Sequence, residues 1–401
     1  MKILFVTWDG PQVSYLESLF LPIFRGLAPH GWEFHVLQFT WGDRQRVEQT
    51  RQACAEAGVP YRVVRVWRRP VSLGSLFTAI KGARDIRRTV QQWDIDVLMP
   101  RSTLPALSAL LALRGRSMPM VFDADGLPLD ERVDFDGQSS SGLVYRFLRD
   151  IEAQGVRRAD RVLTRSRRAV EILQVRAGAG VSEEKFHVVG NGRDSTQFQP
   201  FDSAIRESTR AGLAIGSEVP LLVYAGSLGD QYCLHEMLQF FAGVRERRPD
   251  AHLLILTGSP EKIDPELTRF AGMAQAVTSK TVSPADVPRY LACADAGLAL
   301  RRKSFSMQGV APIKLGEYLL CGTPVLATAG IGDTHVIGRA AGYVLQDMSN
   351  MELRAAADWF VDRVLPEREG FRGRCRQVGL SNFSLDSTVQ AYAEALGKFA
   401  R

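Results

Sequence analysis

The sequence is short of paired cysteines. Its five, Cys54, Cys233, Cys293, Cys321 and Cys375, are scattered, and none stands in a C-x-x-C pair. That spacing supports neither a disulfide framework nor a zinc site, and it fits reduced core thiols of a cytosolic protein. Long apolar runs are missing as well. No stretch reaches the roughly 18 residues of a spanning helix, and the longest, Leu104–Leu113, fits a packed helix. The opening MKILFVTW carries one lysine and a short apolar run before Asp9 and Gly10, so it reads as a first strand and not as a signal peptide. The six histidines form no close pair and no H-E-x-x-H; His187 reads as a packed or surface residue. No G-x-x-x-x-G-K-[ST] or G-x-G-x-x-G occurs at a strand–helix turn, which argues against a P-loop kinase and a dehydrogenase. Ser227 has no recognisable His/Asp partners, so it does not read as a nucleophile. Basic stripes interleaved with stacking aromatics are absent too, which argues against nucleic acid as a partner.

What is present points to a two-domain α/β protein. The chain has 401 residues, 45% hydrophobic and 23% charged, enough for two domains that each bury a core. The formal net charge is +6, which suits an anionic ligand or surface, or simply a solvated basic face. Short apolar runs alternate with amphipathic ones. Lys2–Thr7, Glu33–Phe39, Val97–Met99, Met120–Asp123 and Arg161–Thr164 read as strands; Ser14–Pro29, Leu76–Gln92 and Ser141–Ala159 read as helices. After a polar stretch over 199–217 the rhythm restarts. Strands are expected at Val219–Gly226, Ala251–Gly258, Ala276–Thr281, Ala296–Leu300 and Pro324–Thr328. Helices are expected at Cys233–Arg248, Pro284–Ala294 and Pro312–Cys321. Strand and helix alternating in this way imply parallel sheets covered on both faces. The expectation is two doubly wound, Rossmann-like units, residues 1–195 and 196–384, with a helix over about 385–401 that packs back onto the first. Ligands of such sheets lie outside the carboxyl ends of the strands, which draws attention to the turns Asp9-Gly10-Pro11 and Gly226-Ser227-Leu228-Gly229.

The most specific run is Ala311–Thr328, APIKLGEYLLCGTPVLAT. Pro312 stands where a helix can begin without a backbone donor. Free amides at that start form an anion site, strengthened by the helix dipole. Lys314 adds a positive charge in the first turn, unfavourable for an isolated helix and sensible beside a diphosphate. Glu317 follows at i+3 on the same face, where a carboxylate can accept hydrogen bonds from a ribose diol. An ordinary βα unit with an incidental Lys/Glu pair is the plainer alternative.

This run, with Gly226-Ser227-Leu228 and Asn191-Gly192 before it, resembles the retaining GT-B-fold glycosyltransferases of family 4, whose signature is a glutamate opening a helix followed by Gly-x-Pro-Val. The resemblance implies that Glu317 binds the ribose hydroxyls, that the amides of Ile313 and Lys314 after Pro312 contact the diphosphate, that Lys280–Val282 flank the nucleobase, and that Gly226 and Ser227 lie beside the phosphates. It implies acceptor contacts near Gly10, retention of configuration and no bound metal or cofactor. The sequence departs from the family pattern in three places. Gly309 stands where the first of two glutamates is expected. Ser227 and Gln231-Tyr232 replace an arginine and a lysine, so Lys314 or Arg301-Arg302-Lys303 is expected to supply the charge. The loop Asp9-Gly10-Pro11 lacks the usual glycine pair.

Asp123 and Asp125, in FDADGLPLDER after a strand, fall where many relatives carry a histidine near the reacting carbon. Either carboxylate could take or orient an acceptor proton, or steady a developing oxocarbenium charge; a solvated acidic loop is the alternative. The same residues spell Asp-x-Asp, a metal pattern, but so do Asp94–Asp96 and Asp134–Asp136, and three matches in one chain carry little weight. Arginines gather in the first half around Trp67, at Arg65, Arg68 and Arg69, then at Arg84, Arg87 and Arg88, and then at Arg157, Arg158, Arg161, Arg165, Arg167 and Arg168. They suit solvated helix faces or peripheral contact with an anionic membrane.

These features together lead to the expectation of a cytoplasmic hexosyltransferase, with contact at the inner face of the membrane as a further expectation. It would move a sugar from a UDP- or GDP-type nucleoside-diphosphate sugar to a sugar or lipid-linked hydroxyl in polysaccharide or glycoconjugate synthesis. A nucleotide-sugar epimerase of similar shape is the alternative within enzymes, and would release epimerised donor without an acceptor. A non-catalytic sugar-nucleotide-binding subunit is the alternative outside them.

Overall fold

A computed structural model describes residues 1–270 and 272–399. The chain divides into two compact units: Met1–Gly190 with Gln308–Val310 and the chain from Thr388 on, and Asn191–Met307 with Ala311–Ser387.

The first unit carries β1 (Lys2–Asp9), β2 (Glu33–Thr40), β3 (Tyr61–Arg65), β4 (Val97–Pro100), β5 (Val121–Asp123), β6 (Arg161–Thr164) and β7 (Phe186–Val188). The helices between them are α1 (Leu21–Leu27), α2 (Arg44–Glu56), α3 (Val71–Trp93), α4 (Thr103–Ala112), α5 (Pro128–Phe135), α6 (Leu143–Arg158) and α7 (Arg167–Ala177). The strands are parallel, in the orders β3-β2-β1-β4 and β5-β6-β7, and bridges Leu98–Met120 and Arg101–Asp123 tie β4 to β5. Ile3, Leu4, Phe5 and Val6 have no exposed surface, because helices on both faces of a parallel sheet demand a continuous apolar strand. Helix starts follow local chemistry: the Asp43 carboxylate accepts from Arg46 N and the Ser166 hydroxyl from Ala169 N, each filling an orphan donor.

The second unit carries β8 (Leu221–Ala225), β9 (His252–Leu256), β10 (Val277–Lys280), β11 (Ala296–Ala299), β12 (Val325–Thr328) and β13 (Gly342–Leu345), all parallel in the order β10-β9-β8-β11-β12-β13. Its helices are α8 (Ser203–Ala211), α9 (Leu234–Arg247), α10 (Asp264–Leu267), α11 (Val287–Ala292), α12 (Ile313–Leu320), α13 (Gly338–Ala341), α14 (Asn350–Trp359) and α15 (Arg368–Phe383); α16 (Leu385–Leu396) follows. The polar stretch over 199–217 therefore holds a helix, capped by Asp202 on Ile205 N at 2.8 Å. Its Arg210 is fully buried and meets Asp295, which also holds Arg206, Arg368 and the amide of Leu221 at the start of β8. A buried polar group of this kind survives only because its partners are complete.

In both units the strand order reverses beside the first strand. β1 lies between β2 and β4, and β8 between β9 and β11. The crevice outside the carboxyl ends at such a reversal is where open α/β sheets bind ligands. In the second unit α12 is fixed over this point by one residue. Tyr318, fully buried, accepts the Ala225 amide at 2.9 Å and donates to the Leu298 carbonyl at 3.3 Å. Its ring lies so close to Gly297 that a Cβ there would come within 2.6 Å of it. Tyr318→Phe keeps the ring and orphans the Ala225 amide, and it should lower unfolding free energy by about 1–3 kcal/mol in denaturant titration.

Candidate functional site

At the end of β8 the backbone turns through Gly226 at φ +138°, a conformation open to glycine. The Lys314 side chain lies across this turn. A Cβ on Gly226 would meet Lys314 Cε at 2.4 Å and Nζ at 2.5 Å, so glycine is required for space as well as for φ. Lys314 Nζ donates to Tyr224 Oη at 2.7 Å and lies 4.3 Å and 4.1 Å from the ring centroids of Tyr224 and Tyr232. Tyr224 Oη in turn donates to the Ser227 carbonyl. Arg301, just past β11, stacks 4.9 Å over Tyr232 and reaches Gln231 Oε1 at 3.3 Å. The residues standing in place of the expected cations thus build an aromatic cradle for Lys314 and Arg301. Lys303 is turned elsewhere, onto the Gln346 carbonyl.

Burial first, and then the nearby Arg301 charge, push the Lys314 ammonium down to about 7; Glu317 opposes them. No carboxylate forms an ion pair with Lys314 among the described residues. α12 starts after Pro312 with no side-chain cap, so the first amides of the helix, Ile313 and Lys314, add a partial positive charge at the same place.

Glu317, one turn along, is mostly buried, and burial raises its carboxyl above the usual range against the pull of Arg193. Arg193 Nε lies 3.0 Å from Glu317 Oε1. Its backbone is pinned between Phe383 O and Leu385 N, and its guanidinium stacks on Phe198 at 4.9 Å. Beside it, Asn191 Nδ2 donates to the Ala311 carbonyl before α12. Sequence reading reached Asn191-Gly192 and stopped one residue short of Arg193.

Lys280 ends β10, and Val282 packs against the core just beyond it. Backbone bonds from Gly226 N to Leu256 O and from Thr257 N to Lys280 O place them along one carboxyl edge of the sheet. Two strand spacings separate Lys280 from Gly226, roughly 10 Å. The Lys280 ammonium lies 5.4 Å above the Tyr290 ring. A cavity of about 1200 Å³ in the same unit lies along the opposite edge strand, β13, and includes none of these residues.

In the first unit the two aspartates after β5 part company. Asp123 has no exposed surface and pairs with Arg165 at 2.8 Å and, more distantly, with Arg101 at 3.9 Å. Its second oxygen accepts the Asp125 amide at 3.1 Å. A carboxylate so enclosed cannot meet an acceptor hydroxyl, which corrects the expectation that either aspartate could serve. Asp125, in the left-handed region at φ +57°, keeps a quarter of its side chain exposed and pairs with Arg101 at 2.5 Å. Asp9, at the end of β1, is buried, accepts from Thr7 and Gln38 at 2.9 Å each, and has its carboxyl raised by burial. Gly10 backs onto Trp41, where a Cβ would come within 2.8 Å of the indole. Arg165 was expected among the arginines of solvated faces; it is instead buried on Asp123, and Arg101, also buried, drew no notice, because nothing in their local runs marks an arginine that will be enclosed.

Gly309 belongs with this unit, and its position explains why no glutamate stands there. A Cβ on Gly309 would meet Leu127 Cγ at 2.8 Å, and one on Gly126 would meet the Gly309 carbonyl at 2.4 Å. The Gly126–Leu127 backbone occupies the space a side chain would need.

The buried lysine carries a stability cost with a definite sign. The folded state holds Lys314 near 7 and the unfolded chain near 10.5, so stability rises with pH wherever the unfolded chain is the more protonated of the two. The penalty is complete below pH 7 and fades as pH rises towards 10. Lys314→Met should therefore stabilise the unliganded protein by about 2 kcal/mol at pH 7, allowing for partial exposure. That gain should shrink by pH 10, as read from thermal melts across pH.

Residues 19–192 match the family described as Glycosyl transferase 4-like domain, and residues 219–362 match Glycosyl transferases group 1. A D-inositol 3-phosphate glycosyltransferase of Jonesia denitrificans is 29% identical over 179 residues, 41% of this chain and 40% of that protein. The chain thus spans less than half the length of this curated relative. Among solved structures, HepE of Anabaena in complex with UDP and glucose superposes with TM-score 0.73 at 16% identity, covering 99% of this chain and all of the other. Sucrose-phosphate synthase from Thermosynechococcus elongatus does so with TM-score 0.71 at 14% identity, covering 99% and 98%. WaaG, a glycosyltransferase involved in lipopolysaccharide biosynthesis, gives 0.69 at 17% identity, covering 98% of each chain. The chain belongs to the GT-B-fold glycosyltransferases, with a 4-like first unit and a group 1 second unit.

Proposed function

We propose that the protein transfers a hexosyl unit from a nucleoside-diphosphate sugar, of UDP or GDP type, to a sugar or lipid-linked hydroxyl, with retention and without a metal. The observation that carries this reading is Lys314 lying over Gly226 at the carboxyl end of β8, with Glu317 one turn along α12. An anion at the start of α12 meets the ammonium, the first helix amides and Arg301 together. A diphosphate there is neutralised as it leaves the sugar, the charge change that a metal ion would otherwise balance. Glu317 receives the ribose diol, with Arg193 holding the carboxylate in place. Lys280 and Val282, farther along the same sheet edge, suit the base. Ser227 lies beside the phosphates.

On the other unit, Asp125 orients the acceptor hydroxyl or steadies the positive charge that develops on the sugar. Its pairing with Arg101 fixes its orientation. Asp123 and Arg165 set its position. A second reading, a sugar-nucleotide binder without catalysis, draws on Gly309, which leaves the sugar end without its expected glutamate.

A panel of nucleoside diphosphates and their sugars tests the donor site, because a ligand that binds only the folded state raises its melting temperature. A cognate ligand at about 100 times its Kd should add about 5–10 °C. Glu317→Ala should weaken it on the order of ten- to a hundredfold; unchanged affinity would remove the ribose assignment. A nucleotide sugar, whose diphosphate does not titrate near neutrality, should bind more weakly as pH climbs past 7, and Lys314→Met should abolish that slope.

Asp125→Asn should leave nucleotide affinity intact and reduce turnover on the order of a hundredfold or more. Donor binding with neither transfer nor hydrolysis across an acceptor panel would favour the non-catalytic reading, and epimerised donor formed without acceptor would favour an epimerase.

A further inference from the structure

The first unit carries a helical face that its own core does not use. α3, α4 and α6 pack side by side, with α4 in the middle. Along α3, Leu73, Phe77, Ile80 and Arg84 follow one another at helical spacing on the outer side, and the three apolar residues are 67%, 47% and 50% exposed. At the start of α6, Leu143, Val144 and Phe147 are 82%, 59% and 44% exposed. Between the two stripes runs an apolar groove of about 630 Å³, floored by Leu107, Leu110 and Leu111 of α4. Trp67, just before α3, stands on edge against Phe77 at 5.6 Å. Single exposed apolar side chains are ordinary on a protein surface, but a contiguous set on adjoining helices marks an interaction surface.

The charge around this face is predominantly positive. The apolar groove is continuous, through Leu110, Arg114 and Gln154, with a second hollow of about 810 Å³ that also takes in Arg116, Arg157 and Arg158. Among the described residues, no ion pair involves Lys81, Arg84, Arg88, Arg114, Arg116 or Arg146. Asp150 is taken by Arg157 at 3.7 Å. An apolar centre with an unpaired basic rim is the pattern of helices that lie in the plane of an anionic membrane interface. A protein partner would call for acidic side chains and a matching shape; phosphate headgroups above acyl chains supply both complements at once. No described helix is long and apolar enough to cross a membrane.

We propose that the α3–α4–α6 face of the first unit seats on the surface of an anionic lipid bilayer, its leucine, valine and phenylalanine side chains entering the acyl boundary and its arginines meeting the headgroup phosphates. The proposal stands apart from the nucleotide site, which lies in the other unit.

Vesicle flotation of the full chain tests it, with phosphatidylcholine vesicles against vesicles of phosphatidylcholine and phosphatidylglycerol. The protein should float with the anionic vesicles, less so at raised salt, and not with phosphatidylcholine alone. The triple variant Arg84→Gln, Arg114→Gln, Arg116→Gln should bind on the order of a hundredfold more weakly. Leu73→Ser, Phe77→Ser, Leu143→Ser should not float. All six positions are exposed, so melting temperature and its response to nucleotide sugar should match the parent, which separates lost binding from lost fold. Failure to float, equal binding to both vesicle types, or binding unchanged in either variant would overturn the proposal. So would light scattering that shows a dimer without vesicles which both variants dissolve, since a second copy would then cover the face.

Discussion

The second unit is organised around a lysine laid over a glycine. Lys314 passes within van der Waals contact of the Gly226 backbone, and that approach requires a residue without Cβ at the end of β8 and a helix held rigidly above it. Tyr318 supplies the rigidity by bonding to backbone on both β8 and β11. Tyr224 and Tyr232 take the ammonium on a hydroxyl and two ring faces, a lodging that tolerates a cation without neutralising it. The outcome is positive charge concentrated at a strand-order reversal, with no carboxylate in an ion pair with Lys314 among the described residues. Holding that charge there costs stability in the free protein.

The two carboxylates near these cations are tuned in contrasting ways. Glu317 is raised by burial and restrained by one arginine. Asp123 is buried outright and serves its neighbours: it holds Arg165 and, through the Asp125 amide, the left-handed turn that presents Asp125. The same logic separates enclosed from partly open carboxylates in both units. A fully enclosed acid, such as Asp123 or Asp295, has its hydrogen bonds filled by arginines and amides and acts as a joint. An acid with a face left open, such as Asp125, is free to act on something else.

The departures from the family pattern become physical facts in the structure. Gly309 stands against Leu127, with its own carbonyl against Gly126, so a glutamate there would need that turn to move. Gln231 and Tyr232, in place of a lysine, hold Arg301 and floor the pocket of Lys314. The charge expected from the first C-terminal strand and its loop arrives from α12 and from the end of β11.

The sequence by itself determined the repeating strand and helix units, the position of most strands of both sheets, and the run around Lys314 and Glu317, because apolar periodicity, caps and glycine turns are local properties of the chain. It missed short strands such as β3 and β7, whose partly polar residues form strands only because a neighbour offers an edge, and the four-residue β13. Residues brought together across long separations were decided by tertiary structure alone. Arg193 meets Glu317, Arg165 meets Asp123, and Tyr224 meets Lys314 only after the sheets have formed. Burial and pairing set what those charges can do, and neither can be read from a residue's neighbours in sequence.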